Sequence, residues 1–374
     1  MYILGLYLWR WHCSCDGSPD SHLQLMKAGL FPATTKEPRT IFTFQVLDDF
    51  IRDNVKCGTS GMNYYSKLQR NTSNAFPHLV PDRYRELLRV SRMWWLLKLM
   101  KWQGVDDVRV SPSSGDLVIF CPACPQPDVN IPNNDVDLSH WKYSRLIVMD
   151  GNFKAEHMRP RNSTDELWLM DGRGFMVASG NYRDYLAGTA NRPECSDCSN
   201  HRAVNQANVT RNQLALTGIG GCACARHGCF IPHAMVDFQK GEQQINMDYV
   251  LIHAVRHASS PKQKVVTFYD INCQYSWNLV CQIQSNDFIS LPDGLQILPG
   301  IGIWHVHGHK SECFPRYAPN FIPGAGRVDG EIMETLWSLL NIISPSARGM
   351  ATPHQQELLD FQMSDSNFLK MVRM

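Results

Sequence analysis

Arg145-Leu-Ile-Val-Met-Asp150 is an apolar run of strand length closed by a carboxylate. A short, continuous run of this kind reads as a strand buried on both faces. The design returns at Val265-Val-Thr-Phe-Tyr-Asp270. A third acidic residue, Glu331, opens a long helical pattern after Gly324-Ala-Gly-Arg-Val-Asp-Gly330. Taken singly, each acid reads as a turn residue, a helix cap or half of a salt bridge. Taken together, two strands delivering an Asp each and a helix delivering a Glu are what a site for two divalent metals needs. Carboxylate oxygens suit Mg²⁺, and a metal pair about 3.5–4 Å apart can clamp both the attacking and the leaving oxygen in phosphoryl transfer.

The helix that begins at Glu331 narrows the third position to two candidates. From Glu331 to Ile343 most residues are apolar, and the polar Glu331, Glu334, Ser338 and Asn341 recur at +3, +7 and +10. Their spacing makes one polar stripe on an otherwise buried helix. Buried carboxylates are costly unless paired or metal-bound, so Glu331 and its stripe neighbour Glu334 are both candidate ligands.

The 374 residues are 44% hydrophobic and 19% charged, a globular composition with length enough for a sizeable core. A net charge of +1 provides no global attraction for DNA, so a nucleic-acid enzyme would need local basic surface. No run reaches the ~18–20 apolar residues of a membrane span. The apolar start, Met1 to Trp9, lacks a basic leader and meets Arg10, so a secretory signal is not expected. These readings predict an intracellular protein.

Thirteen cysteines fall largely in close pairs, which suits zinc better than disulfides. Residues 190–236 form a Cys/His/Gly-rich island that reads as an insertion. Within it, Cys198-Ser-Asn-His201 and Cys224-Ala-Arg-His227 give four ligands for a closed zinc site, with Cys195, Cys222 and Cys229 as substitutes. Cys121-Pro-Ala-Cys124 needs partners from elsewhere, and His305, His309 and Cys313 are candidates for a second site.

Elsewhere, residues 16–57 read as a linker, rich in proline and without a clear period in their first part. Residues 58–140 combine a helical segment with the Cys121–Cys124 region. Val80 to Trp102 is helical, with Arg85, Arg89 and Arg92 on one stripe that can lie on a phosphate backbone. Asp116 to Phe120 reads as a strand, residues 166–180 as a strand pair, and Gly241 to Ala258 as a helix.

Several motifs occur in consistent order: Arg83-Tyr-Arg-Glu-Leu-Leu-Arg89, Cys121-Pro-Ala-Cys-Pro-Gln-Pro127, Asp150-Gly-Asn-Phe153, Cys224-Ala-Arg-His-Gly228, Asn246-Met-Asp-Tyr249, Tyr269-Asp-Ile-Asn-Cys-Gln274 and Gly326-Arg-Val-Asp-Gly-Glu331. This series resembles the fungal KDZ (Kyakuja–Dileera–Zisupton) transposases from about Cys13 to the C-terminus. The resemblance implies an α/β fold with an RNase H-like mixed sheet flanked by helices over residues 141–347, a zinc-binding Cys/His insertion and an N-terminal helical segment. It implies a DDE-type transposase acting on double-stranded DNA in the nucleus, a homo-oligomer when full length, with Mg²⁺ or Mn²⁺ on Asp150, Asp270 and Glu331 and structural Zn²⁺. Against the family pattern, residues 1–15 look like the tail of a Cys-x-Cys cluster. Residues 348–374 look like the start of a truncated helical region, so a catalytically silent DNA- or chromatin-binding remnant is the alternative.

Overall fold

The computed structural model describes residues 13–105, 111–131, 136–159, 167–189, 198 and 214–374. The chain divides into two units, Met1–Asp106 and Asp107–Met374.

The first unit is built by the segment that reads as a linker. Helix α1 (Ser21–Lys27) leads into strands β1 (Leu30–Pro32) and β2 (Ile41–Thr43), which pair antiparallel with Phe31 opposite Phe42. Helix α2 (Phe44–Cys57) follows at once: the Thr43 hydroxyl accepts the Val46 N–H at 3.2 Å, and Gly58 ends the helix at φ 62°. The expected linker 16–57 is therefore corrected. Leu47 and Phe50 are four and seven residues after Thr43 and are buried, a helical face that the proline-rich beginning of the segment obscures. Helices α3 (Gly61–Thr72) and α4 (Tyr84–Trp102) complete the unit, with Phe50 stacked on Tyr64 and Trp94 against Phe31 and Phe44. The helix expected over Val80–Trp102 forms from Tyr84, whose N–H is accepted by Asp82.

The second unit holds a five-stranded sheet. Its strands are β3 (Arg145–Asn152), β6 (Gly218–Cys224), β7 (Phe230–Phe238), β8 (Lys264–Phe268) and β9 (Gln296–Gly300), in the order β7-β6-β3-β8-β9. β3, β6 and β7 run antiparallel in succession, whereas β8 and β9 run parallel to β3. A short pair, β4 (His157–Met158) and β5 (Leu214–Leu216), lies outside it. Helices α5 (Ser179–Gly188), α6 (Gln244–Arg256) and α7 (Asn272–Gln284) share one apolar core with β3, β7 and β8 through Ile147, Val236, Val250, Val265 and Leu279. The helix expected over Gly241–Ala258 is α6.

Two of the five strands come from the island, so the insertion 190–236 is corrected from Gly218 onward. Its glycines are not loop residues. A Cβ on Gly220 would lie 2.3 Å from Phe238, and one on Gly221 would lie 1.8 Å from the Met235 sulfur. The strand is glycine-rich because bulky side chains occupy the space its own would need. Asp116–Phe120 and residues 166–180 also depart from expectation. The former is turn and loop after Gly115 at φ 79°, and the described part of the latter contributes a single bridge, Met176 to Met235, before α5 begins.

After a five-residue helix α8 (Cys313–Tyr317), helices α9 (Ile332–Ala347) and α10 (Thr352–Arg373) end the chain. The boundary expected at residue 347 is not observed, because α10 is tied into the same unit. Asp360 Oδ1 accepts the Phe175 and Met176 N–H groups at 2.8 and 2.9 Å, and Asn367 bonds both the N–H and the carbonyl of Phe230. α9 is not buried all round either: Leu339 and Ile342 are 46% and 52% exposed, while Met333, Leu336, Trp337 and Leu340 face inward.

Candidate functional site

Asp150 lies in the central strand β3, and Asp270 stands just beyond the end of β8. Val148 is opposite Phe268 in the parallel ladder, so each aspartate follows its paired residue by two positions. That register brings both acids to the same end of adjacent strands. On the other side of β3, Asp150 faces Gly221, which presents no side chain.

Glu331 closes the constellation. His305 bridges it to Asp270, with Nδ1 2.6 Å from Glu331 Oε2 and Nε2 3.3 Å from Asp270 Oδ2. The other Glu331 oxygen accepts the Trp304 and His305 N–H groups at 2.9 and 3.2 Å. Two glycines permit this approach. A Cβ on Gly302 would lie 2.3 Å from Glu331 Oε1, and Gly330 adopts φ 78° with Phe268 and Gly302 close by. Glu334 is more exposed, and Glu331, Glu334 and His305 offer ligand atoms within 4.8 Å of one another. Helix α9 is bound to the central strand by Trp337, whose indole N–H donates to Asp150 Oδ2 at 2.7 Å, and by Asn152, which donates to Asn341 at 3.0 Å.

The electrostatics match a cation site. Burial raises the Asp150 pKa well above the ordinary carboxylate value, and Glu242 and Asp270 raise it further. Burial also raises Asp270, with Glu331 adding to the effect and His305 opposing it. Glu334 is raised by burial and by Glu331 and Asp270. Burial would lower His305, but Asp270 and Glu331 outweigh it and raise its pKa. The acids thus repel one another, and a positive charge among them relieves that repulsion. Hard carboxylate oxygens fit Mg²⁺ or Mn²⁺ by donor type.

Two participants escape the sequence reading. His305, in the run His305-Val-His-Gly-His309, is offered by sequence only as a zinc candidate for Cys121 and Cys124, not as a partner of the acids. Glu242 reaches Gly151, where a Cβ would lie 2.5 Å from its Oε2, and accepts the Tyr269 hydroxyl at 2.7 Å. Its signal is the short turn Gly241-Glu242 ahead of a helix, too common to single out.

Two sulfur-rich clusters lie in the same unit. In the first, Cys121 and Cys124 from a loop meet Cys224 at the end of β6 and His227 in the following turn, their ligand atoms all within 4.8 Å of one another. Cys124 and Cys224 sulfurs are 3.1 Å apart, and His227 Nδ1 is 3.3 Å from Cys121 and 3.4 Å from Cys224. The second joins Cys198, Cys273, His309 and Cys313. Either cluster can bind zinc. The partners differ from those expected by sequence spacing. Cys224 and His227 are joined by Cys121 and Cys124, not by Cys198, because the β6–β7 turn carries them to the Cys121 loop. His309 and Cys313 meet Cys198 and Cys273 instead of Cys121 and Cys124. His201 and Cys195 lie outside the described residues.

The arginine stripe belongs to the first unit. Arg85 and Arg89 are exposed and Arg92 half-buried, and Arg89 donates to the Ala33 carbonyl. Among the described residues, no helix is long and apolar enough to cross a membrane.

No curated protein and no solved structure matches the chain. Two family models do. The CxC2-like cysteine cluster associated with KDZ transposases matches residues 9–75, so the cluster region extends through the first unit's β1–β2 hairpin to α3, beyond residue 15. The Kyakuja-Dileera-Zisupton transposase model matches residues 143–367, from β3 to near the end of α10. The chain belongs to the KDZ transposase family.

Proposed function

We propose that the second unit is an RNase H-like DDE catalytic core that hydrolyses phosphodiesters and transfers DNA strands. The observations that carry this reading are the parallel register that sets Asp150 and Asp270 at the same end of adjacent strands and the His305 bridge from Asp270 to Glu331 at a helix N-terminus. The mixed sheet with helices packed on it supports the RNase H-like fold. Two Mg²⁺ or Mn²⁺ ions bound there would supply a lowered water pKa and charge stabilisation for in-line displacement.

The chain's own residues do the rest. Asp150, half-buried in the central strand, is the ligand best placed to be shared, and Trp337 orients its carboxylate. Backbone N–H groups of Trp304 and His305 hold Glu331 in one rotamer. His305 links Asp270 and Glu331 and so holds the two carboxylates in register with one another. Double-stranded DNA is the substrate, with Arg85, Arg89 and Arg92 as backbone contacts. The active form is a nuclear homo-oligomer. The Cys121, Cys124, Cys224 and His227 cluster is a structural zinc site pinning the β6–β7 turn.

Which glutamate is the ligand is tested by comparing Mn²⁺-dependent plasmid nicking by Glu331→Gln and Glu334→Gln. The proposal expects loss of at least about 100-fold for the first and a smaller effect for the second, as expected for a missing metal ligand. Full activity in Glu331→Gln contradicts it.

A further inference from the structure

The cluster of Cys198, Cys273, His309 and Cys313 lies on the segments that present the candidate active site. Cys273 is in the first turn of α7, three residues after Asp270, and His309 is four residues after His305. His309 Nδ1 lies 3.4 Å from Cys273 and 3.5 Å from Cys198, and the Cys198 and Cys313 sulfurs are 3.7 Å apart. A zinc ion with Zn–S near 2.3 Å and Zn–N near 2.0–2.1 Å has tetrahedral S–S edges of about 3.8 Å and S–N edges of about 3.5–3.6 Å, and these distances lie within about 0.2 Å of them. A disulfide would need sulfurs about 2.05 Å apart.

Apart from the Trp304 and His305 bonds to Glu331 and the backbone bonds Ile301–Tyr317 and Ile303–Asp329, the same stretch rests on a small core. Its apolar core consists of Ile301, Val306, Cys313, Tyr317 and Ala318, and its helical pieces are a four-residue 3₁₀ turn at His305–Gly308 and the five-residue α8. Pieces this short have no independent stability. The Lys310 backbone N–H bonds the Cys198 sulfur, the kind of outer contact that supports a thiolate ligand.

We propose that Cys198, Cys273, His309 and Cys313 form a zinc centre that locks the His305 loop onto the start of α7 and so positions Asp270 against Glu331. The positioning role rests on the reading of those carboxylates as divalent-metal ligands; the zinc centre does not. Three thiolates and an imidazole with no open position make it structural, not catalytic. An open cavity lined by Cys198, Cys273, Trp277, Lys310, Cys313 and Arg316 adjoins it, leaving this ion reachable by chelators.

Zinc per chain, measured on the purified full chain, tests the centre. His309→Ala and Cys313→Ser should each carry one zinc fewer than the unsubstituted protein, whereas His309→Cys, which keeps four soft ligands, should retain it. Alkylation mapped by mass spectrometry needs no variant: Cys198, Cys273 and Cys313 should resist iodoacetamide until a chelator is added. Unchanged zinc in both depleting variants, or ready alkylation without chelator, overturns the centre. For the positioning role, Mn²⁺ affinity read by electron paramagnetic resonance should fall about tenfold in His309→Ala and recover in His309→Cys. Zinc loss with Mn²⁺ affinity unchanged overturns that role while leaving the centre standing. A protein that binds zinc here and never binds Mn²⁺ overturns the carboxylate reading and the positioning role with it.

Discussion

Trp337 donates its indole N–H to Oδ2 of Asp150 at 2.7 Å, tying the helix that follows Glu331 to the central strand of the sheet. The ring is 5% exposed and packs against Phe230, so Trp337→Phe should keep most of the packing and lose the hydrogen bond. The expected cost is about 1.5–3 kcal/mol in unfolding free energy, typical of a bond to a charged group. The bond also lowers the Asp150 pKa against the rise caused by burial. Its removal should therefore shift the acid limb of the nicking pH profile upward. An unmoved profile would deny the tryptophan a role in orienting the carboxylate.

Gly302→Ala tests the fit around Glu331 without touching a charge. The added methyl would meet Glu331 Oε1 at 2.3 Å, so the carboxylate must move. Calorimetry should show a folded protein, while Mn²⁺-dependent nicking falls by about tenfold to a hundredfold, as misplacement of a catalytic group by about 1 Å does. Activity equal to the unsubstituted chain would mean that Glu331 is free to sit elsewhere.

Asp237 and Asp360 are buried, and burial pushes each up to about 7. Their folded pKa values exceed the unfolded value near 3.9, so the stability they contribute is complete below about pH 4 and is lost as pH rises toward 7. Unfolding free energy should fall over that window, by up to about 4 kcal/mol for a single group. Asp360→Asn keeps an oxygen for the Phe175 and Met176 N–H groups and should flatten the dependence. A steeper fall in that variant would contradict the assignment.

Cys224→Ser should remove the zinc expected at Cys121, Cys124, Cys224 and His227 and lower the melting temperature. Arg145 belongs to the same experiment. It is 1% exposed, lies 5.1 Å over the Phe120 ring and bonds the His257 carbonyl, and the cysteine sulfurs oppose the lowering of its pKa by burial. A three-thiolate zinc site carries a net negative charge that such a cation offsets. Arg145→Met should therefore speed zinc loss to a chelator. An unchanged rate would show that the cation acts only in packing.

The local patterns carried the strands Arg145–Asp150 and Val265–Phe268 and the helix over Gly241–Ala258, because each is a short-range signal of period, length or terminus. The ordered motifs carried the family. Long-range pairings were less legible. Cys-x₂-His spacing shows that Cys224 and His227 go together, but only the β6–β7 turn shows that Cys121 and Cys124 complete the set. Gly220 and Gly221 read as loop residues, since nothing local reveals that Phe238 and Met235 fill their space. His305 lies 35 residues after Asp270 and 26 before Glu331, so no spacing rule could reveal the bridge it makes.

The most direct measurement is plasmid nicking by the purified chain with Mn²⁺, compared with Asp150→Asn. Asp150 and asparagine have nearly the same shape, so folding should survive while the central ligand is lost. The account predicts nicking that requires the divalent ion and falls at least about 100-fold on substitution. Metal-dependent nicking of equal rate in Asp150→Asn would contradict the assignment of Asp150, Asp270 and Glu331 as the catalytic site.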